Sequence, residues 1–169
     1  MNNWYSFYKD RINSTYQNYF EERYAPFLEF IRKQNNFDIV ELGCGIGSVS
    51  KYLSKRGFKC SGFDLCPDMV NLANLNTGLD TFYIGNILNE KCKSGSLGVS
   101  HGVLEHFKTK DILQVVYSFP ESIHYIPLDK YEIPSFGNER LLPYEFWLKL
   151  VQPKEWFLFN EDKDLCFKV

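Results

Sequence analysis

Apolar residues in the first third of the chain recur in steps of three and four, at Tyr5, Tyr8, Ile12, Tyr16 and Tyr19 and then at Phe20, Tyr24, Phe27 and Ile31. Positions so spaced share one face of a helix. Ser14-Thr15-Tyr16-Gln17 has capping-box spacing, which predicts that one helix ends near Asn13 and another begins there. Pro26 fits either the first position of a third helix or a kink in the second. From Phe37 the pattern changes to short apolar runs alternating with helical stretches. Strands are predicted at Asp38–Leu42, Phe58–Leu65, Thr81–Ile84, Leu97–His101 and Ser122–Pro127. Helices are predicted at Ser48–Arg56, Pro67–Asn74, Thr109–Phe119 and Tyr144–Val151, with a terminal hairpin of Trp156–Phe159 and Leu165–Val169. Such alternation predicts an α/β fold built on a doubly wound, mainly parallel sheet with helices on both faces.

Charge and composition narrow the function classes. With 19 Lys+Arg against 21 Asp+Glu in 169 residues, the net charge is −2, and no basic run supplies the footprint of a nucleic-acid binder. No stretch approaches the roughly 20 apolar residues of a membrane span. Met1-Asn2-Asn3-Trp4 has neither a charged start nor an apolar run, so no secretory signal is expected. Five cysteines (Cys44, Cys60, Cys66, Cys92, Cys166) form no CxxC pair, which predicts reduced thiols and a cytoplasmic location.

The strongest local signal is Glu41-Leu42-Gly43-Cys44-Gly45-Ile46-Gly47, between a predicted strand and a predicted helix. Glycines there let the backbone turn sharply and approach a ligand where any Cβ would clash. The loop differs from a dinucleotide fingerprint: Ser48 stands where the third glycine of Gly-x-Gly-x-x-Gly belongs, and Glu41 puts a carboxylate beside the loop, where it would repel a pyrophosphate. A second acid, Asp64, ends the next strand, where a ribose diol is gripped by charge-assisted hydrogen bonds.

Taken in order, the glycine loop, Asp64, Gly85-Asn86-Ile87 after the third strand and His101-Gly102-Val103-Leu104-Glu105-His106 after the fourth resemble class I S-adenosylmethionine-dependent methyltransferases. The last motif resembles the "vLEH" signature of the small-molecule group within them. The resemblance covers about Phe37 to Pro127. It implies a Rossmann-like sheet of seven strands with one antiparallel edge strand and N-terminal helices, in a single domain whose residues 1–35 form a helical cap and 36–169 the cofactor-binding core. It implies S-adenosylmethionine as cofactor and S-adenosylhomocysteine as product. Gly43 and Gly45 would approach the methionine and ribose portions, with Glu41 supporting the loop. Asp64 would take the ribose hydroxyls, Leu65 the adenine face, and Asn86 with Ile87 the adenine edge. His101 would lie beside the methionine portion, and Tyr8, Arg11 and Tyr16 of the cap would reach its carboxylate or line the acceptor pocket; the alternative is that the aromatic stripe is the inner face of amphipathic helices and Arg11 an exposed cation.

Methyl transfer needs an in-line geometry and exclusion of water, and a base only where the acceptor must lose a proton. His101 and His106, at or beyond the end of the fourth strand, are the candidate bases, with Glu105 as orienting carboxylate. His124 reads as a satisfied core histidine. Cys44 and Cys66 fall at predicted helix N-termini, where thiol pKa values drop, yet read as buried fillers. Tyr131, Phe136, Asn138, Glu139, Arg140 and Trp147 follow the fifth strand and are expected over the acceptor side, with Glu139 and Arg140 alternatively an ion pair. Clustered Asp or Asn ligands suited to Mg²⁺ are absent after the fourth strand, so no metal is expected. The expected partner is a small-molecule acceptor, with no nucleic acid and no membrane. A non-catalytic S-adenosylmethionine-binding module and a methyltransferase for a protein or other macromolecule are the alternatives.

Overall fold

The strands read from the pattern assemble into one seven-stranded sheet, in a computed structural model that describes residues 4–34, 37–91, 93–133 and 137–169. They are β1 (Asp38–Leu42), β2 (Cys60–Asp64), β3 (Phe82–Ile84), β4 (Ser96–His101), β5 (Ser122–Pro127), β6 (Glu155–Phe159) and β7 (Asp164–Lys168). Their order across the sheet is β3-β2-β1-β4-β5-β7-β6. Pairs from β3 through β5 are parallel, and β7 is antiparallel to both β5 and β6. The antiparallel strand is therefore β7, one position in from the rim. Cys92 and residues 134–136, including Phe136, lie outside the described residues.

Helices cover both faces, which is why β4 and β5 carry almost no exposed position. On one face Phe27, Leu28 and Ile31 of α3 (Ala25–Arg32) and Val49 and Leu53 of α4 (Ser48–Ser54) pack on Ile39, Leu97, Val99 and Ile123. On the other, Ile112 and Val115 of α6 (Thr109–Ser118) and Trp147 and Val151 of α7 (Tyr144–Val151) pack on Leu42, Phe63, Ile126 and Phe167. Trp147 is fully buried there, so its expected place over the acceptor side is corrected: the 3.6 period of α7 turns it into the core. His124 is a satisfied core histidine, its ring nitrogens 2.7 Å from Ser100 Oγ and 2.8 Å from Ser122 Oγ.

The N-terminal segment forms α1 (Trp4–Tyr8), a short 3₁₀ turn, α2 (Ser14–Arg23) and α3. The break falls near Asn13 as the pattern predicts, but the cap is Asn13 itself, whose Oδ1 accepts the Tyr16 N–H at 2.8 Å. Asn caps at least as well as Ser, and here it displaces the predicted capping box by one residue. Pro26 sits in the first turn of α3. Trp4, Tyr8, Ile12 and Tyr16 pack on Ile46, Met69 and Leu72, so the segment lies over the glycine loop and α5 (Pro67–Thr77).

A buried clasp ties this cap to the far end of the sheet. Asp164, 0% exposed at the start of β7, pairs with the Arg23 guanidinium at 2.7 Å. It also accepts the hydroxyls of Tyr125 at 2.9 Å and Tyr131 at 2.8 Å. Removing one partner of a buried pair strands the other charge, at about 3–5 kcal/mol. Asp164→Ala should lower the urea-unfolding free energy by about that amount at an unchanged m-value. A loss near that of an exposed ion pair would contradict the clasp.

Candidate active site

Strand order reverses between β1 and β4, and an open α/β sheet places ligand sites in the crevice beyond the strand ends at such a point. A cavity of about 390 Å³ opens there, within the range of about 300–1,000 Å³ for small-ligand sites. Its floor is the loop between β1 and α4. Gly43 and Gly45 hold φ of +63° and +51°, a left-handed conformation that side chains rarely tolerate. A Cβ at Gly43 would press on Val103 at 3.0 Å, and one at Gly45 would meet nothing within 4 Å and would fill open space.

Two acids fix that loop. Glu41, 4% exposed, accepts the Ser50 N–H at 3.0 Å and so caps α4, whose N-cap residue Gly47 has no side chain to do it. Asp64 accepts the Gly45 N–H at 3.0 Å through Oδ2 and the Cys66 N–H at 2.9 Å through Oδ1. A carboxylate offers about four acceptor sites, so Asp64 keeps capacity for two more donors. Burial raises its pKa against the pull of those amides.

Of the residues expected to hold cofactor, Tyr16, Glu41, Gly43, Gly45, Asp64, Leu65, Asn86, Ile87 and His101 all line this cavity. His106 and Asn138 line it as well, with Trp4, Tyr8, Phe20 and Phe107. Arg11 does not; its guanidinium stacks on the Phe7 ring at 3.9 Å. Arg140 pins the turn after β4, donating to Phe107 O at 2.6 Å while its backbone N–H bonds Glu105 O at 2.9 Å. Cys44 lies three residues before Gly47, the N-cap of α4, not at the helix end expected for it, and its thiol is pushed up by burial and then by Glu41 and Asp64.

His101 sits among the rings of Tyr24 (4.1 Å between centroids), Tyr125 (4.4 Å) and Phe20 (4.9 Å). Burial lowers its pKa to about 3, and its Nε2 has no protein partner. His106 is half-buried, its Nδ1 at 3.1 Å from Asn138 Oδ1. Glu105 is 1% exposed, with Oε2 unpartnered.

Residues 16–131 match the family model described as a methyltransferase domain. The chain belongs to the methyltransferase-domain family. Its fold is that of the class I S-adenosylmethionine-dependent methyltransferases. A curated relative, an uncharacterized RNA methyltransferase of Bacillus cereus, is 32% identical over 57 residues, covering 34% of this chain and 12% of its own length. A solved protein of Pyrococcus horikoshii OT3 superposes with a TM-score of 0.74 at 19% identity, over 93% of this chain and 92% of its own. Magnesium protoporphyrin IX methyltransferase from Synechocystis PCC 6803, solved with bound S-adenosylhomocysteine, superposes with a TM-score of 0.65 at 13% identity, over 96% and 97%.

S-adenosylmethionine is the cofactor of this family, and the residues present fit it: an open cradle at Gly45, an acid with free acceptor capacity at Asp64 and an unpartnered imidazole nitrogen at His101. Glu41 carries a pH signature of its own. Burial raises its pKa from the ordinary 4.5 to about 7, so between those values the folded chain holds a proton that the unfolded chain has lost. This contribution to stability falls as pH rises through that window. Denaturant unfolding at pH 5, 6, 7 and 8 should show Glu41→Gln gaining stability relative to the native chain across the series. Parallel curves would refute the protonated state.

Proposed function

We propose that the chain is an S-adenosylmethionine-dependent methyltransferase acting on a small-molecule acceptor in the cytoplasm, as one domain whose first 35 residues cap a cofactor-binding core. One observation carries the acceptor class: among the described residues the cavity wall contains no Lys or Arg, and it is largely aromatic on its cap side. A polyanionic substrate held by its phosphates needs cations near the reacting centre. The free cysteines Cys44, Cys60, Cys66 and Cys166, and the finding that no described helix is long and apolar enough to cross a membrane, are consistent with this setting.

In this reading Gly43 and Gly45 carry the cofactor's middle, Asp64 takes two ribose hydroxyls on its remaining acceptor sites, and Leu65, Asn86 and Ile87 border the adenine. When bound, the cofactor supplies a methyl group on an activated sulfonium. The protein's share is to hold the acceptor in line and exclude water, which falls to Trp4, Tyr8, Tyr16, Phe20 and Phe107. His101, with a pKa near 3, stays neutral at working pH and is a poor base; it positions the methionine portion through a hydrogen bond at Nε2. His106 at the cavity wall is the group that would accept a proton from the acceptor, with Asn138 orienting its ring.

Calorimetry with S-adenosylhomocysteine should show one site, weakened at least tenfold by Asp64→Ala in a folded variant; unchanged affinity would remove the cofactor assignment. Turnover on small amines, acids and phenols against RNA and whole-protein substrates separates the acceptor classes. Methylation confined to RNA or protein would overturn the small-molecule reading, and binding without any transfer would leave a non-catalytic module.

A further inference from the structure

We propose that Glu105, His106 and Glu139 form a divalent-cation site on the acceptor side of the cavity. A carboxylate oxygen of Glu105, a ring nitrogen of His106 and a carboxylate oxygen of Glu139 lie within 4.8 Å of one another. Ligand atoms about 2.1 Å from a shared cation stand about 3–4 Å apart, so these donors reach one by side-chain rotation alone.

Glu105 gives the independent sign. It is 1% exposed, and its Oε2 has no hydrogen-bond partner, although buried carboxylate oxygens are nearly always given donors. The group converging on it is the half-buried carboxylate of Glu139. Arg140, next to Glu139, spends its guanidinium on Phe107 O and Thr109 Oγ1, outside the cluster.

Preorganisation is visible in two further contacts. The Arg140 N–H to Glu105 O bond fastens the Glu139 segment to the turn after β4, so donors 33 residues apart in sequence are held together. His106 Nδ1 faces Asn138 Oδ1 at 3.1 Å. An amide oxygen accepts, so the ring proton lies on Nδ1 and the lone pair on Nε2, the arrangement of a metal-bound imidazole with its outer nitrogen fixed.

One nitrogen and two carboxylate oxygens without thiolate suit Mn²⁺, Fe²⁺, Mg²⁺ or Zn²⁺. Three protein ligands leave positions open for water or substrate. Since His106 lines the cavity, the acceptor selected would be one with an oxygen able to coordinate, and His106 would then be a ligand rather than a base. That last step rests on the methyltransferase reading; cation binding does not.

Titrating the full chain with MnCl₂ and following loss of the free-ion electron paramagnetic resonance signal tests the site. One saturable site per chain is expected, weakened at least tenfold by His106→Ala and by Glu139→Gln, both at half-buried positions, with circular dichroism reporting the fold. Glu105→Gln should abolish binding; should it unfold, the other two variants decide. No saturable binding of Mn²⁺, Mg²⁺ or Zn²⁺ up to millimolar, or equal affinity in both variants, would overturn the proposal and mark Glu105 as a protonated acid. Asp64→Ala should bind Mn²⁺ as the native chain does while losing S-adenosylhomocysteine, so the two readings fail separately.

Discussion

Carboxylates are buried at the carboxyl end of the sheet, and much of the site follows from what each of them accepts. A charge removed from water without a partner costs several kcal/mol, on the order of a domain's net stability. Glu41 at the end of β1 and Asp64 at the end of β2 meet that demand with backbone amides: Ser50 for the first, Gly45 and Cys66 for the second. Delivering those amides requires a backbone that turns into left-handed conformations at Gly43, Gly45 and Gly47. The same turn that satisfies the acids leaves an open cradle in front of Gly45. Cofactor floor and acid satisfaction are one geometry.

The roof depends on another buried acid at the same sheet edge, where Asp164 of β7 pairs with Pro127 at the end of β5. Asp164 gathers Arg23 of the cap, Tyr125 of β5 and Tyr131 beyond it. Tyr125 then stacks on His101 at 4.4 Å, and the Tyr24 ring closes on His101 at 4.1 Å. Gln17 adds a buried bond from α2 to Ser48 O at 3.1 Å, at the start of the glycine-loop helix. The cap is thereby anchored on both sides of the cavity, and the imidazole between them is held in an apolar nest that keeps it neutral.

The sheet and its floor were legible in the sequence because their signals are local. Alternating apolar runs, the glycine loop and Asp64 each lie within a few residues, and all nine residues expected at the cofactor line the cavity. Competition between local preferences was less legible. Asn13 and Ser14 both cap well, and only the backbone decides that Asn13 does so. Burial and the nearby acids Glu41 and Asp64 likewise set the Cys44 thiol, and the sequence does not weigh them. Side-chain direction was legible only in part: Arg11, readable as an exposed cation or as a carboxylate ligand, stacks on Phe7 four residues before it, and Trp147 belonged to the acceptor segment until α7 turned it inward. Long-range convergence was not legible: the meeting of Glu105 and His106 with Glu139 depends on a loop return after β5 that no local ligand spacing announces.

Aromatic residues make up 17% of the chain, and their placement has an electrostatic consequence. Trp4, Tyr8, Tyr16, Phe20 and Phe107 line the cavity, where hydrated side chains would otherwise stand. Fields from the polar groups that line it, Asp64, Asn86, His106 and Asn138 among them, are screened less in such surroundings than in water. Among the described lining residues there is no lysine or arginine, so the protein's own side chains would place no positive charge against a cationic donor.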